Sequence, residues 1–468
     1  MGALDSGGSA PYAHGADRRD GADDALSSEV TQLAETPYTA APAAPGVDLS
    51  VAEAHLPEAL RTPTKRLGYG FILMLCLANV AIWFSMQPVT NILLAEQVDL
   101  FVHVKSEQIF YNGLILFVGA LLSVFANPIG GALSDRTTSR FGRRVPWLIG
   151  CGALTVGTLL LLATANSLAL LFVGYGLYQT VVSGALAALI AVVPDKAPPE
   201  QRGVVSAFVG LALPVATVLG GVVVGILITN IFVDYVILAV SLMTMMVLFS
   251  LVLRDARLPR EAVPPFRWGA FLRGFWISPR KHPDFGWAWL SRFLVNMGWN
   301  MTVGGLLFQY LRTEVKVKDP ASSVAIAQII AVAAILLSSV VGGFLADRYQ
   351  RRKIFVIVSA VTISVALLVL TLFTSWTAVL VAAVIVGLGF GAYLTVDFAL
   401  LTEVLPSASD RAKDMGVFNI ANALPGAIGP GLAGVLVPIF GSFQPLFLMA
   451  VVLVLVAAFS ILPIKAVR

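Results

Sequence analysis

Two charged residues lie inside long apolar runs of the sequence, where their chemistry would be proton or ion binding. Asp397 precedes Leu405, at the end of its run, by eight residues, and Arg292 follows Phe285, at the start of its run, by seven. In helices these offsets place both charges about 10 to 12 Å inside the same end. Charges inside a membrane are costly unless they are paired or hydrated. We therefore predict that Asp397 pairs with Arg292 and releases it on protonation, with a purely structural ion pair as the alternative.

Uncharged polar side chains recur at helical spacing in the first, fourth, seventh and tenth apolar runs. Residues four positions apart share one face of a helix. The third, sixth, ninth and twelfth runs, by contrast, contain no Asn, Gln, His or charged residue. We predict that the first set of runs lines a solute-binding cavity, although such stripes could also be hydrogen-bonded contacts between helices. The predicted cavity residues are Asn79, Trp83, Gln87, Tyr175, Tyr178, Gln179, Asn296, Trp299, Asn300 and Tyr393.

The composition predicts that these runs are membrane-spanning helices. Hydrophobic residues make up 57% of the 468 residues and charged residues 12%, which is about half the share in a soluble domain. Apolar runs of about 18 to 28 residues are long enough to cross a hydrocarbon core. We predict an all-α membrane protein with twelve transmembrane helices in two pseudo-symmetric six-helix bundles. The predicted spans are 67–92, 109–133, 147–165, 168–193, 204–229, 235–253, 285–310, 321–346, 354–374, 376–404, 415–438 and 445–463.

The composition also divides the chain into four segments. Residues 1–62 are rich in Ala, Pro, Gly, Ser and Asp, which predicts a disordered cytoplasmic tail. The two bundles then occupy residues 63–253 and 285–468. Residues 254–284 form a hydrophilic cytoplasmic linker, and its aromatic and basic stretch Arg267–Trp276 suits either a helix on the membrane surface or a plain linker.

The distribution of positive charge predicts the orientation of the chain. Most of the 31 lysines and arginines lie in the tail and in the loops after even-numbered spans. By the positive-inside rule, we expect both termini to be cytoplasmic. We expect the membrane to be the cell's inner membrane. The net charge of +4 therefore reflects topology, and we expect no nucleic-acid partner. The sequence contains no nucleotide loop, metal-ligand cluster or nucleophile triad, so we expect no cofactor and no enzyme activity. We also expect the protein to be a monomer.

One loop motif, Gly-Gly-x-Leu-Ser/Ala-Asp-Arg followed by a basic cluster, occurs after the second and eighth spans. The copies lie 212 residues apart, with their aspartates at positions 135 and 347, and further matches at the same offset end the fourth and tenth spans. Two matches at one offset indicate a duplicated six-helix unit, which is typical of transporters whose halves rock around a central site. Charge-assisted hydrogen bonds between the aspartate and arginines could latch one conformation. The predicted cytoplasmic gate residues are Gly131, Asp135, Arg136, Arg143, Arg144, Gly343, Asp347, Arg348, Arg352 and Glu403.

This motif resembles the signature loop of the major facilitator superfamily, and the resemblance covers all twelve spans. The longer first copy, Gly131-Ala-Leu-Ser-Asp-Arg-Thr-Thr-Ser-Arg-Phe-Gly-Arg-Arg144, is similar more narrowly to the glycoside and sucrose porters. That resemblance implies cation-coupled sugar transport. Those porters usually carry aspartates in the second and fourth spans, whereas the second span here offers only Asn112 and Asn127, which argues against sodium coupling at that place.

We therefore predict a secondary transporter that works by alternating access and imports a sugar or similar small polar solute together with protons. Two alternatives remain open. One is a proton-driven exporter of drugs or metabolites, which a partial Gly-Pro motif at Gly429–Gly431 favours. The other is a non-transporting assembly or receptor protein on the same fold, although such a protein need not keep polar cavity stripes.

A glycine-rich stretch in the tenth span, Gly387–Gly391, loosely imitates a nucleotide-binding loop. A genuine loop of that kind follows a strand and opens a helix. This stretch lies inside an apolar run, and it therefore predicts close packing between helices.

Overall fold

The structure, a computed structural model, describes residues 57–263, 269, 282–302, 305–349, 351–404 and 411–464. It describes the backbone alone for residues 302, 347, 398–404 and 411–419. Most of the predicted disordered tail, residues 1–56, therefore lies outside the described residues. The same holds for the predicted surface helix Arg267–Trp276, apart from Gly269.

Twelve long helices, numbered here in chain order, dominate the described part of the chain. The first six are α1 Tyr69–Phe101, α2 Lys105–Asp135, α3 Val145–Ala163, α4 Leu168–Lys196, α5 Pro199–Leu227 and α6 Ile231–Val252. The second six are α7 Pro283–Thr302, α8 Pro320–Tyr349, α9 Arg352–Leu372, α10 Trp376–Val404, α11 Arg411–Phe440 and α12 Gln444–Ser460.

Ten helices among the described residues are long and apolar enough to cross a membrane. The other two are α7, which carries Asp284 and Arg292, and α12, which is shorter at 17 residues. The predicted seventh span differs most from the structure, because it was expected to continue to residue 310. Instead α7 ends at Thr302, and a short helical segment follows at residues 307–315. Gly305 lies between them with a φ of +74°, a conformation that glycine adopts without steric cost.

The packing of the helices repeats between the two halves of the chain. In the first half, α1 packs on α5 and α6, α2 packs on α4, and α3 packs on α4 and α6. In the second half, α7 packs on α11 and α12, α8 packs on α10, and α9 packs on α10 and α12. Each contact of the first half thus has its counterpart six helices later. The duplicated sequence folds into two six-helix bundles of one architecture.

The two bundles meet through α2 with α11 and through α5 with α8. A Cβ atom on Gly113 of α2 would lie 2.6 Å from the Cα of Gly434 in α11, so these backbones nearly touch. In the same way, Gly221 of α5 lies against Ala325 of α8. A Cβ atom added to Gly221 would lie 3.2 Å from the Cβ of Ala325. These contacts lie at the end of the bundles opposite the loop between α2 and α3. We call this the sealed end, and the end that carries the α2–α3 loop the latch end.

The glycine-rich stretch of α10 holds the helices of the second bundle close together. A Cβ atom on Gly387 would lie 2.5 Å from the carbonyl oxygen of Ala331 in α8. One on Gly389 would lie 2.8 Å from Ile363 of α9, and one on Gly391 would overlap α8 again. The stretch therefore serves helix packing, as its position inside an apolar run predicts.

We expect Gly387→Ala to destabilise the second bundle by about 1 to 3 kcal/mol, because the added methyl group must push α8 away from α10. Gly157→Ala is the matched control, since nothing lies within 4 Å of a Cβ at that position of α3. The melting temperature of the purified protein in detergent measures both changes. Equal melting temperatures for the two variants would contradict the packing role of Gly387.

Candidate functional site

The two charges predicted to pair do so in the structure. Arg292 of α7 donates from a terminal guanidinium nitrogen to Oδ2 of Asp397 in α10, and each side chain is 7% exposed. The hydroxyl of Tyr393, one turn before Asp397, donates to Oδ1 at 3.1 Å. The ion pair thus ties two helices of the second bundle together at a buried position.

A third helix contributes a polar residue that the sequence analysis missed. Asn422 of α11 accepts hydrogen bonds through Oδ1 from Nε of Arg292, at 2.9 Å, and from Nδ2 of Asn296, at 3.1 Å. Its own side chain is exposed. The available signal was an asparagine inside the apolar run that forms α11. Asn422 gives Arg292 a neutral acceptor beside the charged one.

The other predicted residues of α7 line up along the same helix. Asn296 also donates to the carbonyl oxygen of Arg292 at 2.9 Å, and Asn300 donates to that of Asn296 at 2.8 Å. Trp299 stacks on Phe390 of α10, with ring centroids 4.3 Å apart and planes 16° apart. Phe390, which the sequence analysis did not select, also lies against Tyr393. The second bundle therefore places an ion pair, amides and stacked rings together.

In the first bundle, the predicted residues of α4 form a hydrogen-bonded group with α1. Gln179 donates to the hydroxyl of Tyr175 at 2.7 Å, and Thr90 of α1 lies 3.3 Å from the same hydroxyl. Tyr178 donates to Ser85 of α1 at 3.3 Å. All three α4 side chains are buried. This group is uncharged, unlike its counterpart in the second bundle.

The predicted residues of α1 have different surroundings. Asn79 is buried and donates to the carbonyl oxygen of Leu75 in its own helix at 2.8 Å. Gln87 reaches α5, where it donates to the hydroxyl of Thr217 at 3.0 Å. Trp83 is half-buried against the apolar core.

Three amide oxygens of the first bundle are buried without a hydrogen-bond partner among the described residues. One is Oδ1 of Asn112, and the predicted cavity residues supply the other two, Oδ1 of Asn79 and Oε1 of Gln179. A buried acceptor without a donor is costly, and native proteins pair almost all such groups. A solute that donates hydrogen bonds would satisfy these oxygens.

The latch end is held by ion pairs within the first bundle. Arg143 and Arg144, 4% and 3% exposed, both donate to Asp195 at the end of α4, at 2.9 and 2.8 Å. Arg144 also donates to Asp135 at 2.5 Å and to Ser134 at 2.8 Å. Burial by itself would lower the pKa of the Arg144 guanidinium, but Asp195 and Asp135 raise it above its ordinary value. Asp195, which the sequence analysis did not assign to the latch, is its central acceptor.

The glycines of the repeated motif differ in their contacts. Gly130 makes the close approach of α2 to α4, since a Cβ there would lie 2.9 Å from the Cα of Gly184. In its repeat, a Cβ atom on Gly342 would likewise lie 3.0 Å from the Cα of Ala392 in α10. The predicted gate glycines, Gly131 and Gly343, are looser, with the nearest atoms at 3.9 and 4.0 Å.

The remaining predicted gate residues belong mainly to the second copy of the motif. Arg136 and Arg352 are half-buried and Arg348 is exposed. The side chains of Asp347 and Glu403 lie outside the described residues. Of the predicted gate residues, Asp135, Arg143 and Arg144 of the first copy are thus the ones that join one group of ion pairs around Asp195 and Arg144.

No group of three or more His, Cys, Asp or Glu side chains is placed to hold a metal ion in the described part of the chain. Among the predicted cavity and coupling residues, the groups present are the ion pair of Arg292 and Asp397, amides, hydroxyls and aromatic rings.

This arrangement, two apolar helical bundles that each enclose a polar group, is that of a multi-pass membrane transporter. The chain belongs to the Major Facilitator Superfamily, whose family model matches residues 71–337 and 288–467. As a member, it carries a small-molecule solute across the membrane by alternating access. The resemblance of the loop motif to this superfamily is thereby confirmed.

Three relatives illustrate the similarity. An uncharacterised symporter of Synechocystis is 50% identical over 38 residues, which span 8% of this chain and 7% of that relative. The crystal structure of a mutant of the peptide transporter POT superposes with a TM-score of 0.67 at 16% identity, covering 90% of this chain and 100% of that one. A bacterial homologue of the human lysosomal transporter Spinster, inward-facing and unoccupied, gives 0.60 at 14%, covering 85% and 95%. At identities this low, the similarity to the two solved structures shows that this chain shares their fold.

We expect Asp195→Ala to destabilise the protein by about 3 to 5 kcal/mol, because it leaves two buried guanidinium groups without their common acceptor. Asp135→Ala removes a carboxylate that is 57% exposed, and we expect a loss of at most about 1 kcal/mol. Melting temperatures of the two purified variants measure the difference. A loss for Asp135→Ala as large as that for Asp195→Ala would refute the central role of Asp195.

Proposed function

We propose that this protein is a proton-coupled symporter of a sugar or a similar small polar solute. The observation that carries the proposal is the buried pair of Arg292 and Asp397 beside a cluster of amides and aromatic rings. A carboxylate can accept and release a proton, and intramembrane carboxylates mark proton relays in transporters.

The proposed coupling follows from the energy of a buried charge. Ionised Asp397 compensates the charge of Arg292. A proton on Asp397 cancels its charge and leaves Arg292 with Asn422, a neutral acceptor that compensates a guanidinium less well. The two protonation states therefore favour different arrangements of α7, α10 and α11. A difference of this kind is what links proton binding to the rocking of two halves.

The proposed solute class follows from aromatic side chains beside the pair and from amide groups of the first bundle. Aromatic rings such as Trp299, stacked on Phe390, present apolar faces on which a sugar ring can lie. Asn79 and Gln179 offer unpartnered oxygens to the hydroxyl groups of a solute. These features support a neutral solute rich in hydrogen-bond donors.

We further propose that the latch end faces the cytoplasm of the cell and that the membrane is the inner membrane. The clustering of lysine and arginine in the tail and at the latch end supports this orientation. On this orientation the sealed end faces away from the cytoplasm, and the described conformation is closed toward that side.

We expect Asp397→Asn to abolish accumulation driven by an inward pH gradient while counterflow exchange of the same solute persists, because the variant cannot bind or release the proton. The measurement is uptake of a panel of labelled sugars by purified protein in proteoliposomes. Tyr393→Phe is the matched control, since it keeps the carboxylate and loses one hydrogen bond, so uptake should fall by at most about five-fold. Unchanged gradient-driven accumulation in Asp397→Asn would refute the coupling.

The same vesicles distinguish the second candidate, a proton-driven exporter. Its support is the proline- and glycine-rich α11, which contains Pro425 and Pro430 inside the helix. Failure of every sugar together with efflux of a dye would favour the exporter.

A further inference from the structure

The break in the seventh helix places one glycine between the two bundles. Gly305 follows the end of α7 at Thr302 and precedes the helical segment that starts at Leu307. Its backbone φ of +74° is one that residues other than glycine rarely adopt. A Cβ atom at this position would also lie 2.6 Å from Leu116 of α2. The backbone conformation therefore favours glycine here, and a Cβ atom would also require the Leu116 side chain to shift.

Both backbone polar groups of Gly305 bind side chains of the other bundle. Its N–H donates to Oδ1 of Asn91 in α1 at 3.2 Å. Its carbonyl oxygen accepts a hydrogen bond from Nδ2 of Asn112 in α2, also at 3.2 Å. Asn91 is 8% exposed and Asn112 is 0% exposed. We call this arrangement of Asn91, Asn112 and Gly305 the peptide clamp.

The burial of the peptide clamp makes it sensitive to separation of the bundles. A buried amide or backbone group without a partner costs more than the hydrogen bond contributes when it is made. If the sealed end opens, the two asparagines and Gly305 lose each other at once, and water must replace every bond. The clamp therefore favours the closed arrangement of this end.

An outer layer of polar contacts lies beside the clamp. Arg312 pairs with Asp99 of α1, and Gln309 donates to the same carboxylate at 3.2 Å. Arg312 is 40% exposed, so its ion pair is accessible to water and salt. Ser322 of α8 donates to the carbonyl oxygen of Gly225 in α5 at 2.7 Å. These contacts therefore extend the seal beside the clamp, and among them the ion pair of Arg312 is the one open to water.

We propose that the peptide clamp is the inner gate of the sealed end, and that Asn91 and Asn112 are positioning residues that keep this end shut. The gate rests on the proposed transport cycle, in which a solute enters or leaves when the bundles part at this end. Opening requires the backbone of Gly305 to leave both asparagines. If the two asparagines had a purely structural role, their loss would instead destabilise the closed and the open arrangement equally.

The experiment measures the opening of the sealed end without any solute. The native cysteines are replaced through Cys76→Ser and Cys151→Ser, and Ala325→Cys places a thiol between α5 and α8. Ala325 is 0% exposed, so this thiol reacts with a water-soluble maleimide only when the interface opens. The labelling rate is measured on purified protein in detergent, where the reagent reaches both ends.

We expect Asn91→Ala and Asn112→Ala each to raise the labelling rate about five-fold, since each removes one hydrogen bond of the closed arrangement. Asn127→Ala is the matched control, because Asn127 of α2 donates to Ser183 within the first bundle at 3.5 Å. Its labelling rate should equal that of the parent. Parent-like rates in both clamp variants, or an equal rise in Asn127→Ala, would overturn the proposal.

A second set of variants covers the case in which an alanine variant does not fold. Asn91→Asp keeps an acceptor for the N–H of Gly305, whereas Asn112→Asp removes the donor to its carbonyl oxygen. We therefore expect the labelling rate to rise more in Asn112→Asp than in Asn91→Asp, although both introduce the same group. Gly305→Ala, which keeps both asparagines but displaces the backbone, should raise the rate as well. Equal rates in the aspartate pair together with a parent-like rate in Gly305→Ala would overturn the proposal.

The labelling result does not depend on the solute or the coupling ion. Faster labelling in the clamp variants would stand even if every sugar failed in the uptake experiment. Parent-like labelling with intact proton-driven uptake would overturn the gate alone.

Discussion

A charge buried among apolar helices needs a compensating partner, and the ion pair of Arg292 and Asp397 meets that need in the second bundle. The pair requires α7 to approach α10 closely, and the stacked rings of Trp299 and Phe390 fill the space beside it. Asn422 adds α11 to the group through Nε of Arg292. The charge of Arg292 thereby links α7, α10 and α11. Any change in the groups that neutralise this charge therefore alters the contacts of all three helices.

The two bundles share one arrangement of helices but differ in their polar side chains. Glycine contacts recur at matching positions, as Gly130 and Gly342 do where the second helix of each bundle passes the fourth. The group around Tyr175 in the first bundle is neutral, whereas its counterpart in the second bundle is charged. The first bundle also holds acids near the sealed end, including Asp234, which is buried in the first turn of α6. Duplication therefore accounts for the architecture, and later divergence accounts for the polar interior.

The two ends of the molecule are held by interactions of different kinds. At the latch end, nearly buried arginines share Asp195 within one bundle, so that bundle can move as a unit without breaking them. At the sealed end, the contacts of Asn91 and Asn112 with Gly305 cross between bundles, so movement of the bundles must break them. Neutral hydrogen bonds to a backbone contribute less than buried ion pairs. This difference allows each bundle to stay rigid while the interface between them opens and closes.

The sequence by itself determined the membrane class, the duplicated architecture and the pairing of Arg292 with Asp397. Run lengths, an offset repeat and depth within a helix are local properties that can be counted along the chain. Only the tertiary structure decided that Asn422 joins the pair, that Asp195 centres the latch, and that the seventh helix breaks at Gly305. Each of these depends on which distant helices become neighbours. Spacing along one helix specifies which side chains share a face, but not which residue of another helix that face will meet.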